Sequence, residues 1–274
     1  MKYQTVEQLS ALRLHAMKAE YLRQNELPAT NDLSFDDRLS MLVTAQYDAR
    51  NNARIARLIR EADLREPGAQ LADIDYDPVR RLNKAEIAQL SDCSWIINGQ
   101  NLIITGKTGV GKTYLLSAFG RAACMKGMKV RAYRTTRMLT DLEIGRGDGS
   151  YNKLIRDLTK PDLLILDDFG IRQFGVDVSQ DLLEVFEERY HTKKSVAISA
   201  QLPVKDWPEI FKDPTIADAV LDRVVRNSYR LYPKGPSRRP SVEHKAEDDS
   251  QTAVNGRSPV PFRCNRILRQ YCKL

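Results

Sequence analysis

Residues 106–113, Gly-Lys-Thr-Gly-Val-Gly-Lys-Thr, carry the strongest chemical signal in this chain of 274 residues. They follow an apolar run, NLIIT, and lead into a helix-forming one, YLLSAFGRAA. Glycine at Gly106, Gly109 and Gly111 lets the backbone turn with positive φ, so the N–H groups of Lys107, Thr108, Val110 and their neighbours can point into one concavity. That concavity sits at the N-terminus of the next helix, where a polyphosphate is favoured. Lys112 would reach the β/γ-phosphates, Thr113 would ligate Mg²⁺, and Tyr114 would stand beside the nucleotide. A bland glycine turn is the alternative for any such match, and the strand before and helix after argue against it.

A phosphate loop needs an acidic partner at the end of a buried strand. Asp162-Leu-Leu-Ile-Leu-Asp167-Asp168 supplies it. An apolar run without alternation suits a central strand of a parallel sheet covered on both faces. Asp167 at its C-terminal end would lie where ligands of open α/β sheets collect. We read Asp167 as the Mg²⁺ carboxylate and Asp168 as the base that orients the attacking water. Asp168-Phe169-Gly170 also spells a protein-kinase triplet, but the GxGxxG loop and HRD segment that would accompany it are missing from the sequence.

The elements that must position these residues alternate. A second strand is expected at Lys129–Tyr133, helices around 137–144 and 152–158 with a flexible turn at Gly145–Gly149 between them, and a helix over 178–191. A fourth strand is expected at Ser195–Ser199 and a fifth at Ser228–Tyr232, with helices at 202–207 and 215–225 between them. Alternation with right-handed crossovers predicts an α/β fold with a five-stranded, doubly wound parallel sheet. Ahead of it the chain reads as helical. Leu9, Leu12, Ala16 and Ala19 repeat at helical spacing. Ser34 and Asp37 form a capping arrangement before a longer pattern through Leu39, Leu42, Val43, Ile55, Leu58 and Ile59. Glu66-Pro67-Gly68 breaks it, and Asp73–Pro78 reads as a linker.

Net charge is +7, with a sequence pI near 9.2, and the excess is uneven: residues 121–160 carry +6 and residues 221–274 carry +7. Such segregation suits a polyanionic partner. Arg50, Arg54 and Arg57 share one helical face, which a solvated surface would also explain. Arg131, Arg134, Arg137, Arg146, Lys153 and Arg156 charge the central region and are the side chains expected to face DNA. Cys93, Cys124, Cys264 and Cys272 form no CxxC pair and are read as reduced thiols. No apolar stretch approaches a bilayer span, and the opening MKYQTVEQLSALRLH is too polar for a signal peptide, so a cytoplasmic protein with no membrane partner is expected.

Taken in order, LSALRLHAM, SFDDRLSMLVTAQYDARNNARIARLIREADL, GQNLIITGKTGVGKTYLLSAFGRAAC, LLILDDFG, SAQLPVKDWPEIFKDPTIADAVLDRVV and GPSRR resemble the IstB family over roughly residues 1–240. These are AAA+ ATPases that help an insertion-sequence transposase and are related to the helicase loader DnaC. The resemblance implies an AAA+ P-loop domain over residues 99–240, entered through 71–98 and preceded by a small all-helical domain over 1–70 that contacts DNA or a partner. Residues 241–274 would be a tail, disordered or ending in a basic amphipathic segment, FRCNRILRQYCKL. It further implies ATP and Mg²⁺ as cofactors, a homo-oligomer assembled on double-stranded DNA that it remodels or bends, and a transposase partner. Arg223 matches the arginine finger, supplied in trans. An ion pair with Asp222 or Asp218 is the alternative for that residue. Gln201 matches the sensor after the fourth strand, and Arg239, or else Arg238, the second sensor.

The chain departs from the family pattern in three places. Asp168 stands where many AAA+ proteins have glutamate, which implies slow turnover and ATP acting as an assembly switch. Gln201 replaces a frequent asparagine, and Pro236 and Pro240 bracket the second sensor. A DnaC-like loader acting on single strands would share the ATPase. A small-molecule kinase would need a lid and an acceptor pocket that the sequence does not display.

Overall fold

A phosphate loop requires a strand to deliver it and a helix to receive it, and the computed structural model, which describes residues 2–238, builds both. Arg239, the tail over 241–274, Cys264 and Cys272 lie outside the described residues. The elements run α1 (Lys2–Ala11), α2 (His15–Glu26), α3 (Phe35–Ala62), α4 (Lys84–Ser91), α5 (Ser94–Ile97), β1 (Asn101–Thr105), α6 (Lys112–Met125), β2 (Val130–Arg134), α7 (Thr135–Asp148) and α8 (Tyr151–Thr159). They continue as β3 (Leu163–Phe169), α9 (Val176–His191), β4 (Ser195–Ala200), α10 (Pro214–Val225) and β5 (Ser228–Leu231).

The five strands are all parallel, in the order β2-β3-β4-β1-β5. Side chains of β3 alternate between the two faces: Leu163 and Ile165 join one apolar cluster with Leu115, Phe119 and Trp95, while Leu164 and Leu166 join the other with Leu139, Leu182 and Trp207. Both faces are therefore covered by helices, which is why the strand reads as a continuous apolar run. The last turn of α3 and the chain just after it, through Leu58, Ala62 and Leu64, belong to the first cluster, as do Ile87, Leu90 and Trp95 from the segment 84–97.

Local chemistry sets the helix starts. Ser34 Oγ accepts from the Asp37 N–H at 3.2 Å and donates to its carboxylate at 2.6 Å, the capping arrangement expected at that point. Asp213 caps α10 by accepting from the N–H groups of Thr215 and Ile216, with Pro214 at the first helical position.

Three expectations need correction. The spacing of Leu9 to Ala19 suggests one helix, but the chain breaks between α1 and α2. Arg13 has φ 58°, Leu14 N–H donates to Leu9 O at 2.8 Å and Arg13 N–H to Ser10 O at 3.0 Å, a Schellman stop made without glycine, which leaves Leu12 65% exposed. The turn placed at Gly145–Gly149 is mostly helix: α7 runs through Asp148. Gly145 is buried there, where a Cβ would lie 3.0 Å from the Tyr151 nitrogen, and Gly149, at φ 81°, ends the helix. The connection after β4 is a 3₁₀ stretch over Val204–Ile210, with Trp207 wholly buried. Among the described residues no helix is long and apolar enough to cross a membrane.

Candidate nucleotide site

β1 ends at Thr105 and α6 starts at Lys112, so the loop between them lies at the C-terminal edge of the sheet. Gly109 and Gly111 hold φ 85° and 91°, conformations that cost a side chain strain, and Gly111 serves as the N-cap of α6. Gly106, expected to share the positive φ, does not, and its glycine is needed instead because a Cβ would lie 2.7 Å from Pro233 O. Lys112 is buried, with its Nζ donating to Gly106 O at 2.7 Å and Lys107 O at 2.9 Å, so its charge is held over the loop. Val110 is buried as well, and its carbonyl accepts from Arg80 Nη2 at 2.8 Å.

Asp167 stands at the end of the apolar run of β3, 3% exposed. Thr113 Oγ1 lies 3.2 and 3.0 Å from its two carboxylate oxygens. Ser199, on β4, donates its hydroxyl to Asp167 Oδ1, and Ser199 Oγ in turn accepts from the Asp168 N–H at 3.1 Å. The strand register shifts between Leu166 and Phe169, and Asp168 adopts φ 61°. This irregularity turns Asp168 out of the ladder toward Arg65 and Arg134, whose Nη1 and Nε lie 3.2 and 3.3 Å from Asp168 Oδ2.

Arg65, Lys112, Thr113 and Asp168 line a cavity of about 530 Å³ together with Thr108, Gly109, Gly111, Tyr114, Gln201 and Arg238, while Asp167 lines the cavity beside it, which Arg65 and Thr113 also reach. The far wall of the first cavity comes from the presumed linker, through Asp73, Ile74, Asp75 and Arg80. Arg238 N–H donates to Gly109 O at 3.0 Å, and its guanidinium pairs with Asp75. The polar surface is hard oxygen and cation: a hydroxyl and a carboxylate side by side suit Mg²⁺, and Lys112 suits a phosphate. Among the described residues no group of three or more His, Cys, Asp or Glu could hold a metal alone, which fits an ion held by few protein oxygens together with a phosphate ligand.

The profile of the IstB-like ATP binding protein family matches residues 7–246. The chain belongs to the IstB-like ATP-binding family. An insertion sequence ATP-binding protein of Sinorhizobium fredii is 35% identical over 90% of this chain and the whole of that protein. The ATP-binding protein of insertion sequence IS1162 from Pseudomonas fluorescens is 39% identical over 74% of this chain and 87% of that one. The crystal structure of DnaI superposes with a TM-score of 0.52 at 18% identity, covering 67% of this chain and 93% of that one, a likeness of fold. This IstB-like protein is an ATP-binding AAA+ ATPase with a five-stranded parallel sheet.

In the IstB-like chain the other expected residues fall in separate places. Arg223, on α10, lies at the opposite end of the sheet from the phosphate loop: its carbonyl accepts from Asn101 Nδ2, at the start of β1, at 3.2 Å. It pairs with neither Asp222 nor Asp218 but with Glu187 of α9, at 3.0 Å, while Asp222 pairs with Arg226.

The basic residues divide into three groups. Arg50, Arg54 and Arg57 are exposed on α3, where Arg54 donates to Gly127 O at 3.1 Å and Arg57 lies 3.8 Å from Glu61. Arg131, Arg134 and Arg137 surround a second cavity next to Asp167, of about 570 Å³. There Arg131 stacks on Tyr133 and lies 3.7 Å from Asp63, and Arg134 is committed to Asp168. Arg146 pairs with buried Asp181 and stacks on Tyr151, with exposed Lys153 nearby in sequence.

Sequence reasoning missed Arg65, Arg80 and Ser199. Burial alone would lower the Arg65 pKa, yet hydrogen bonding and attraction from Asp167 and Asp168 outweigh it and raise it, so this guanidinium stays charged. Ser199 ends the fourth expected strand, two residues before Gln201, and could have been found there. Arg65 follows a helix with no motif around it.

Proposed function

We propose that this IstB-like ATPase assembles in the cytoplasm as a homo-oligomer on double-stranded DNA, bends it, and recruits a transposase to the bent target. The observation that carries the assembly is the distance between Arg223 and the phosphate loop of its own chain. β1 alone has five residues, at about 3.3 Å each, so its two ends are on the order of 13 Å apart and the finger cannot close on its own nucleotide. A neighbouring copy can deliver it. The names of the relatives, ATP-binding proteins of insertion sequences, support the transposition context.

In this reading Lys112 and the loop N–H groups bind the β/γ-phosphates, and Thr113 and Asp167 hold Mg²⁺, which offsets phosphate charge when bound. Asp168 orients the attacking water; its short side chain and its pairing with Arg65 and Arg134 favour slow turnover. Gln201 and a second-sensor arginine bracket the terminal phosphate. Arg238, which lines the cavity, suits that role, and Arg239 is the alternative. The exposed arginines of α3 and the group around Arg137 give DNA phosphates two basic faces, and the segment 1–70 is the unit that contacts DNA or the transposase.

Analytical ultracentrifugation tests it, with a duplex of about 60 base pairs or a matched single strand, each with ATP, with ADP and with neither, at one fixed salt concentration. The reading expects large complexes on duplex only with ATP. Monomers in every mixture would remove assembly, and complexes confined to the single strand would favour a helicase-loader role.

A further inference from the structure

Arg65 joins the chemistry from outside every motif. It lies just past the end of α3, 102 residues before Asp167, yet its Nη1 is 2.7 Å from Asp167 Oδ2 and 3.2 Å from Asp168 Oδ2. Its side chain is 46% exposed, whereas that of Asp167 is 5% exposed, so the guanidinium covers a buried carboxylate from the solvent side. Arg65 lines both the nucleotide cavity and the adjoining basic cavity.

The backbone on either side of it is pinned. Leu64 is buried in the core, Glu66 N–H donates to Ser117 Oγ at 3.3 Å, and Pro67 O accepts from Arg121 Nη1 at 2.8 Å. Motion at this position is therefore motion of the side chain. Asp167 has little to spare: Oδ1 accepts from Ser199, Oδ2 is taken by Arg65, and Thr113 sits against both. A guanidinium and a divalent cation repel each other, and they cannot both hold Oδ2 at contact distance.

We propose that Arg65 is a further nucleotide-contacting residue: it neutralises Asp167 and Asp168 in the metal-free site, yields Oδ2 of Asp167 when Mg·ATP binds, and then pairs with the terminal phosphate. The inference rests on the nucleotide reading of the cavity. Arg65 is long, charged, half-exposed and already on the wall shared with Lys112, Thr113 and Gln201, so the exchange needs only rotation of its side chain. Two properties follow. Arg65 competes with the metal for Asp167, and it distinguishes ATP from ADP, because only ATP offers the phosphate that receives it.

Calorimetric titration of the full chain with ATP and with ADP, over a series of Mg²⁺ concentrations, tests this with wild type, Arg65→Ala, Arg65→Lys and Lys112→Ala. Arg65→Ala is expected to reach half-maximal ADP binding at several-fold lower Mg²⁺ and to lose about tenfold of the preference for ATP over ADP at saturating Mg²⁺. Arg65→Lys, which keeps the charge but not the planar fork, should retain part of both. Wild-type Mg²⁺ dependence together with a wild-type ATP/ADP ratio in Arg65→Ala would overturn the proposal and leave the residue a surface ion pair. If wild type binds neither nucleotide, or Lys112→Ala binds both as wild type does, the nucleotide reading itself fails and the proposal with it.

Discussion

Arg223 and Glu187 form an ion pair, Nη2 to Oε1 at 3.0 Å, while Nη1 of the same arginine donates to Ala219 O at 2.8 Å. His191 Nε2 lies 3.8 Å from that same glutamate oxygen. The guanidinium that a neighbour's nucleotide would need is thus held by its own subunit. Arg223→Ala is expected to bind ATP as wild type does and to lose about 10³-fold in DNA-stimulated hydrolysis, the scale for a finger supplied in trans. Glu187→Gln, which weakens the tether, should raise hydrolysis at low protein concentration. Steady-state phosphate release across a concentration series reads both, and normal hydrolysis by Arg223→Ala would remove the finger assignment.

Mixing separates action in trans from action in cis. Lys112→Ala should neither bind ATP nor hydrolyse it, since the loop loses the cation that Gly106 and Lys107 carbonyls now hold over it. A mixture of Lys112→Ala and Arg223→Ala should recover hydrolysis that neither has alone, because one supplies an intact finger and the other an intact loop. No recovery, with both variants still associating, would place Arg223 outside the shared site.

Asp168 sits at φ 61°, a conformation that asparagine tolerates better than most residues. Asp168→Asn should therefore fold, bind ATP and assemble, with turnover lowered by about 10²-fold or more. Equal losses in binding and turnover would show that Asp168 shapes the pocket instead of orienting water.

Arg189 is 1% exposed on α9 and holds the connection before β3 together. Its Nη1 donates to Leu158 O at 2.8 Å and Pro161 O at 3.0 Å, and its Nη2 to Ser195 O at 2.5 Å. Arg189→Met keeps bulk but leaves those carbonyls unpaired in the interior, so a loss of about 3 kcal/mol or more is expected in urea unfolding. An unchanged midpoint would mean water reaches them.

Burial pushes the Cys124 thiol up to about 12 and raises that of Cys93. The nucleophile is the thiolate, whose fraction at about pH 8 falls as the thiol pKa rises. Both cysteines should resist iodoacetamide in the folded protein and react in denaturant, as peptide mass mapping reads. Rapid labelling of Cys124 in the native state would show that the cluster around Phe119 opens.

The sequence by itself determined the phosphate loop and its acidic partner. Each is a contiguous stretch whose backbone conformation and apolar flanks are encoded locally: glycines where φ is positive, an unbroken apolar run where a strand is covered on both faces, and Ser34 where α3 starts. Local rules failed where the deciding contact is local but atypical, as at Arg13, which ends α1 in the position glycine usually takes. They failed too where the contact is between helices, as at Gly145, whose missing side chain admits Tyr151.

Only the tertiary structure decided the rest. The insertion of β4 between β3 and β1 brings Ser199 to Asp167, and the packing of α3 on the sheet brings Arg65 to the same carboxylate from 102 residues away. Charge and hydrogen-bond partners at such distances along the chain are chosen by how the apolar faces close. Hydrophobic burial drives that closure without direction, and it leaves no mark in the residues beside either partner.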